Sequence, residues 1–301
     1  MIENMLKMTC LLLGLACLGV NCRGNDQQEQ SAPKLNKDSI HLQDSIRLAW
    51  SCTAPFEKVE SVVYDRKRAC VYVSNGKDYG IGQAGFISKV AIEGKEVDLK
   101  WIQNLNRPTG MAIYGDSLYV ADVNALLIID LNLAVVVERV EVSIKYGIND
   151  VSVGEDGTVF VTASAIHAVL KLVGDRLEIW AQDAEILQWA NGVQALTNEV
   201  WVGGEHLVRL NLETGESLRM EMEPRVRDFE GISYVDARTI LATTVENSAL
   251  HRIQNQESRL LLQPEGYFGD LEYIPELNQL IVPEGNHQSM IYSVKCYEFQ
   301  W

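Results

Sequence analysis

Residues 107–131 read RPTGMAIYGDSLYVADVNALLIIDL. Met111, Ile113 and Tyr114 predict a short first strand, and Gly115-Asp116 a tight turn. Leu118 and Val120, alternating with Tyr119 and Ala121, predict a second strand. Asp122-Val123-Asn124 turns the chain again, and residues 126–131 give a third. Short alternating strands separated by Gly, Asp and Asn are hairpin signals. One such meander cannot bury both of its faces, so copies of it have to pack on one another.

The copies are present. Val62, Met111, Val151, Val193, Ile232 and Leu271 occupy equivalent places in six units spaced by about 40 residues, the first interval being longer. Each opening leads through a turn to a second strand, over residues 69–73, 117–121, 158–162, 199–202, 239–243 and 279–282. Residues 75–85, with four glycines, lengthen the first unit between its second and third strands. Fourth strands are expected at residues 99–102, 177–180, 217–222 and 258–262. The sixth unit ends without one. Residues 46–50, Ile-Arg-Leu-Ala-Trp, resemble a fourth strand that precedes the first unit, and they are expected to complete the last blade. Six four-stranded units that close on themselves form a β-propeller, here over residues 42–301. Closure removes the free sheet edges of an open array. No long stretch keeps a 3.6-residue apolar period, which excludes a helical repeat.

The chain has 301 residues, 47% of them hydrophobic, and a formal net charge of −15. That length supports a large core. The acidity excludes nucleic acid and anionic membrane as main partners, because both reward basic patches. A monomer that takes a small molecule is expected. At the N-terminus, Lys7 precedes an apolar run over residues 8–20, too short to span a bilayer. This is signal-peptide anatomy, assigned to residues 1–21. Cys22 follows Leu18-Gly19-Val20-Asn21 and precedes a polar run, as at a bacterial lipoprotein acylation site; Cys17, after Ala16, is the second choice. Residues 22–41 then read as a polar tether. The protein is expected to be exported, periplasmic or held at the outer membrane by its lipid alone. Cys52, Cys70 and Cys296 give neither a disulfide framework nor a metal-finger spacing, and the closure is expected to set Cys52 and Cys296 towards opposite ends.

In a propeller the first strand of each blade lines the central channel, so equivalent repeat positions become neighbours around one axis. Two residues before each aligned apolar position stand Glu60, Thr109, Asn149, Asn191, Glu230 and Gly269, with Asp150 and Asp270 one place further on. Converging carboxylate and amide oxygens suit a hard divalent cation, which also relieves the repulsion between two anions. The same polar ring would equally solvate a wet channel mouth.

At these residues the chain resembles the senescence-marker/gluconolactonase (regucalcin-like) family of six-bladed propellers. The resemblance implies one divalent cation, Ca²⁺, Mg²⁺, Mn²⁺ or Zn²⁺, at the channel entrance and hydrolysis of a sugar lactone or related ester. Glu60 matches the family's metal-binding Glu, although Ser61-Val62 replaces Gly-Pro after it. Asn149-Asp150 matches an Asn-Asp pair, and Asn191-Gly192 a metal-binding Asn-Gly. Glu230-Gly231 stands where the family has Asp-Gly, whose acid is both metal ligand and general base. The resemblance thus implies Glu60, Asn149, Asn191 and Glu230 as metal ligands, Glu230 as catalyst and Asn149 beside the substrate; Thr109 and Asp150, from the same ring, are expected to face the substrate too. Gly147 stands where the family often has a substrate-holding Arg.

Other residues complete the reading. His167, His206 and His287 fall in turns between second and third strands, on one face of the disc. Trp50, Trp101 and Trp180 occupy outer strands and are expected to pack. Trp189 precedes Ala190-Asn191 and reaches the channel rim, as core packing or as the wall of a sugar pocket. A non-catalytic, lipid-anchored propeller that binds a glycan or protein through its rim, as NHL-type propellers do, explains the repeat equally well. The anchor is testable on its own: Cys22→Ala should move the protein from the membrane to the soluble fraction, and a variant that stays on the membrane would rule out Cys22.

Overall fold

The computed structural model describes residues 45–300 apart from Gln83. The signal segment, Cys22 and the whole tether expected from the sequence lie outside the described residues. The chain lays down six antiparallel sheets, five of them in strict sequence order. The innermost strands are Val62–Asp65, Pro108–Tyr114, Ile148–Val153, Val193–Ala195 and Phe229–Asp236; in blade six that strand is broken into Tyr267–Phe268 and Glu272–Ile274. The outermost strands of blades one to five are Val97–Leu105, Val135–Glu141, Arg176–Gln182, Ser217–Arg219 and Glu257–Leu262.

The sixth sheet closes the ring. Ser45–Cys52 pairs antiparallel with Ile291–Gln300, with Ile46 opposite Phe299 and Cys52 opposite Val294. The fourth strand of the last blade is therefore the first strand of the chain. Arg47 pairs with Glu298 across this seam. The closure also corrects one expectation. Trp50 is opposite Cys296, so Cys52 and Cys296 lie on adjacent strands two register positions apart, not at opposite ends. Both are buried free thiols.

The core is divided among the seams between blades. Tyr72, Ile87, Leu118 and Leu127 join blades one and two. Leu126, Ile148, Val161 and Leu170 join two and three. Phe160, Val169, Val200 and Val208 join three and four. Leu207, Phe229 and Ile240 begin the next seam, and Leu241, Leu250, Leu280 and Phe299 the fifth. The sixth joins Val71 and Val73 to Ile281, Val294 and Cys296, with Trp50 packed against it. Alternation with period two lets every inner strand face two neighbours at once, so both faces of each sheet are apolar. Trp101 lies 4.6 Å from Tyr72 and Trp180 4.9 Å from Phe160, ring centre to ring centre, so these outer tryptophans pack within their own blades.

The glycine-rich insertion of blade one runs between Cys70–Asn75 and Gly85–Ala91. It accounts for the long first interval. Tyr79 within it donates a hydrogen bond to the carbonyl of Ile148 at 2.8 Å, so the loop reaches over to blade three.

Removing Ser45–Cys52 should expose the edge of a ten-residue strand and strip one seam of Trp50 and Cys52. Stability should fall by several kcal/mol, on the scale of large core losses. A truncated protein that unfolds at the same temperature as the intact one would contradict closure by this strand.

Candidate functional site

The innermost strands share an irregularity. Register slips between Pro108 and Met111, between Ile148 and Val151, and between Phe229 and Ile232. In blade six the strand breaks at Gly269–Leu271, and in blades one and four it begins only after Glu60-Ser61 and Asn191-Gly192. All six interruptions fall on the ring positions read from the sequence. A bulge releases a residue from the ladder and re-aims its side chain. Here the interruptions free polar residues at the axis, and some of them bond to a neighbouring blade. The Asp270 N–H donates to the Glu60 carbonyl at 2.7 Å, and the Thr109 hydroxyl to the Asn149 carbonyl at 2.6 Å.

The ring residues divide between two chambers. Glu60, Thr109, Asn149 and Glu230 line a cavity of about 530 Å³ at the mouth, together with Lys58, Lys77, Asp78, Tyr79, Arg107, Tyr267 and His287. Asn191 joins them through its amide, which donates to Glu230 Oε2 at 3.0 Å. Asp150, Asp270 and Glu272 instead line a chamber of about 180 Å³ further along the axis.

Arg107 organises the mouth. It is buried, and its guanidinium donates to Glu60 Oε2 at 2.7 Å, to the Lys58 carbonyl at 2.9 Å and to the Pro108 carbonyl at 2.9 Å. Its own backbone N–H is fixed by the fully buried Asp122 carboxylate at 2.8 Å. Gly76 makes this possible: a Cβ there would stand 2.5 Å from Arg107 Cδ. Beside this pair, the Glu230 carboxyl holds its proton well above the ordinary carboxylate range. Burial is the main cause, followed by the charge of Glu60 and a hydrogen bond shared with it; the amide of Asn191 opposes the shift.

The inner chamber is built differently. Asp150 Oδ1 accepts from the N–H of Val151, and Oδ2 from that of Val193, each at 2.7 Å. Asp270 accepts from the N–H of Leu271 at 2.8 Å and from the Ser61 hydroxyl at 3.1 Å. Three blades apart, the two side chains lie over Gly110 and Gly231, where a Cβ would come within 1.9 and 2.2 Å of a carboxylate oxygen. Burial raises all three acids, and backbone hydrogen bonds partly offset it at Asp150 and Asp270: Asp150 goes to about 7, Glu272 to about 8 with Asp270 and Glu276 contributing, and Asp270 upward with Asp150 contributing.

Of the residues singled out in the sequence, Glu60, Thr109, Asn149, Asn191 and Glu230 meet at the mouth. Asp150 does not, because it faces the inner chamber. Trp189 is an exposed rim residue rather than a core one: its backbone is left-handed at φ 54°, its N–H donates to His167 Nδ1 at 3.1 Å, and its ring meets His167 edge-on. Arg107, Lys77, Tyr79, Tyr267 and Glu272 escaped the sequence reading. Arg107 alone offered a signal, as a cation two residues before a ring position.

Among the described residues no three His, Cys, Asp or Glu side chains form a group able to hold a metal. The expected ligand set contains two carboxylates and two amides. Its donor chemistry fits a hard cation on the side of Glu60 that faces Glu230, where two carboxyls already crowd one another. On its other side Glu60 is neutralised by Arg107.

No protein-family model matches the chain, and no curated protein matches it. Solved structures do. A streptogramin B lyase superimposes with a TM-score of 0.57 at 11% identity, over 85% of this chain and 98% of that one. A catalytically inactive His-to-Ala form of virginiamycin B lyase from Staphylococcus aureus, determined with quinupristin, gives 0.57 at 10% identity, over 84% and 99%. These likenesses establish the six-bladed propeller fold.

The inner acids bear on stability. Folded, each holds its proton more tightly than unfolded, so its contribution is complete below the ordinary carboxylate range and is lost as pH rises through its folded value. For Asp150 and Glu272 the loss begins near the ordinary carboxylate range, about pH 4, and is complete just above about 7 and about 8. The unfolding midpoint should drop between about pH 4 and pH 9. Glu272→Gln cannot ionise and should flatten that drop, raising the midpoint at pH 9 by about 2–4 °C for each kcal/mol recovered. A variant whose profile parallels the wild type would refute this role for Glu272.

Proposed function

We propose that the channel mouth hydrolyses a lactone or related ester of a sugar-derived small molecule, with Glu230 as the acid–base group. The observation that carries this reading is the Glu230 carboxyl itself. It is half-buried at the wall of a ligand-sized cavity, held by Asn191, and raised in pKa beside the ion-paired Glu60. Two acids kept in unlike environments are a signature of acid–base chemistry, and a base whose pKa approaches the working pH is stronger than an ordinary glutamate. Glu230 takes a proton from water as the water oxygen bonds to the carbonyl carbon. It returns that proton to the ring oxygen as the bond from carbon to ring oxygen breaks. Asn191 orients Glu230, and Arg107 fixes Glu60.

The order and repeat phase of the Glu60, Asn149-Asp150, Asn191-Gly192 and Glu230-Gly231 openings support the likeness to the gluconolactonase-type propellers. On that reading Glu60, Asn191 and Glu230, with Asn149 beside them, would hold one divalent cation, which when bound supplies polarisation of the lactone carbonyl. Thr109 and Asn149 line the substrate's side of the cavity. Signal-directed export and a lipid on Cys22 belong to the same proposal. A second reading, a binding propeller, draws support from the rim, where Tyr79, Ile81, Trp189, Val245 and Met290 are exposed.

Glu230→Gln preserves size and the contact with Asn191 but removes the basicity. Turnover of a lactone panel should fall by about 10²-fold or more, the usual scale for loss of general-base help. Wild-type protein that turns over no lactone or ester would refute the hydrolytic reading and leave the rim-binding one.

A further inference from the structure

The mouth is richer in cations than the rest of the molecule. In a chain of net charge −15, its cavity is walled by Lys58, Lys77 and Arg107 as well as by Glu60, Asp78 and Glu230. We propose that the mouth selects a ligand bearing an oxyanion, a carboxylate or a phosphate, seated between Lys58, Lys77 and His287 with its reacting carbonyl towards Glu230. This deepens the hydrolytic reading of the site and rests on it, adding the charge of the substrate.

Four observations converge on it. Arg107 is consumed by Glu60 at 2.7 Å, and Lys58 pairs with Asp78 at 2.7 Å. Lys77, by contrast, forms no ion pair and no side-chain hydrogen bond among the described residues. It is the cation left over.

Second, the partner of Lys58 is replaceable. Asp78 is almost fully exposed at the tip of the blade-one loop, whereas Lys58 is about one-third exposed against the cavity. An exposed pair of this kind is weak and yields to a ligand anion.

Third, Lys58 adopts a left-handed backbone at φ 38°, and Arg107 holds its carbonyl. A glycine would accept this conformation without strain. Keeping a lysine there costs energy, and such strain concentrates at functional positions.

Fourth, the His287 ring stacks on Tyr267 at 4.7 Å and 25°, while the Tyr267 hydroxyl donates to the Val59 carbonyl. The ring is therefore oriented on the cavity wall, and its nitrogens have no hydrogen-bond partner among the described residues. An imidazole N–H and an unpaired ammonium on one cavity wall are an oxyanion's donor set.

Calorimetric titration of the purified protein with glucuronate, glucose 6-phosphate and glucose, at pH 7 and low salt, tests the proposal. At least one anion should bind about tenfold or more tightly than glucose, and the tighter of the two identifies the oxyanion. The preference should shrink as salt rises, because a partly exposed charge contact is screened. Lys77→Gln, a change on an exposed loop, should abolish most of the preference without altering glucose binding. Lys58→Gln should weaken anion binding as well. Equal binding of all three ligands, no binding of either anion at millimolar concentration, or an undiminished preference in both variants would overturn the proposal. Failure of the hydrolytic reading looks different: anion preference intact, with no lactone or ester turned over. Equal turnover of neutral and anionic lactones would sink the charge selectivity alone.

Discussion

Every contact at the channel depends on the ring being closed by the two ends of the chain. Ser45–Cys52 lies against Ile291–Gln300, and Val71 and Val73 of blade one pack on Ile281 and Val294 of blade six. Without this seam five others remain, but the sheets are free to splay. Convergence on the axis then fails, because Ser61 meets Asp270, and the Asp270 N–H meets the Glu60 carbonyl, across that same seam. The chain thus spends its strongest apolar surface on setting residues from opposite ends of the sequence side by side. The hydrophobic seams supply position; the axial polar groups, few and individually weak, supply chemistry.

Placing carboxyls on a closed axis has an electrostatic consequence. Glu60, Glu230, Asp270, Asp150 and Glu272 each perturb the next, and burial disfavours the charged form of the last four. The molecule answers in three ways. Backbone N–H groups are aimed at Asp150 and Asp270. A buried guanidinium is set against Glu60. The remainder is met by carboxyls that hold their protons above the ordinary carboxylate range. A bound cation would be a fourth answer at the mouth, and the same crowding that raises Glu230 is what would favour it.

The fold was legible because it repeats. A hydrophobic alternation that says little once becomes decisive at six equivalent phases, and the stray strand at residues 46–50 found its place because the last unit lacked one. The ring was legible for the same reason: equivalent phase means equal distance from the axis, which is why Glu60, Thr109, Asn149, Asn191 and Glu230 were found together. What escaped breaks the repeat. Arg107 reaches Glu60 because Gly76, in a different strand connection, leaves space for it. Tyr79 reaches blade three from a loop that no other blade carries. Trp189 was expected to reach the rim with packing as one option, yet its left-handed backbone turns it into solvent. The expectation for Cys52 and Cys296 failed because strand ends, unlike strand existence, depend on register, and the register sets Trp50 against Cys296.

The hydrogen bonds separate two kinds of axial acid. Asp150 and Asp270 occupy equivalent places three blades apart, and each binds the N–H of its own successor and a donor from the next blade. Both oxygens are engaged within the protein, over glycines that leave no room for movement. Such a carboxylate is a bolt between blades; a ligand that took its hydrogen bonds would unfasten the ring. Glu60 and Glu230 are held by side chains alone, Arg107 on one and Asn191 on the other, and they open onto the larger cavity. The Asn191 side chain can rotate away, whereas backbone N–H groups cannot. A ligand can therefore compete for Glu230 at modest cost, and that difference concentrates the proposed chemistry at one end of the channel while the other end keeps the six blades together.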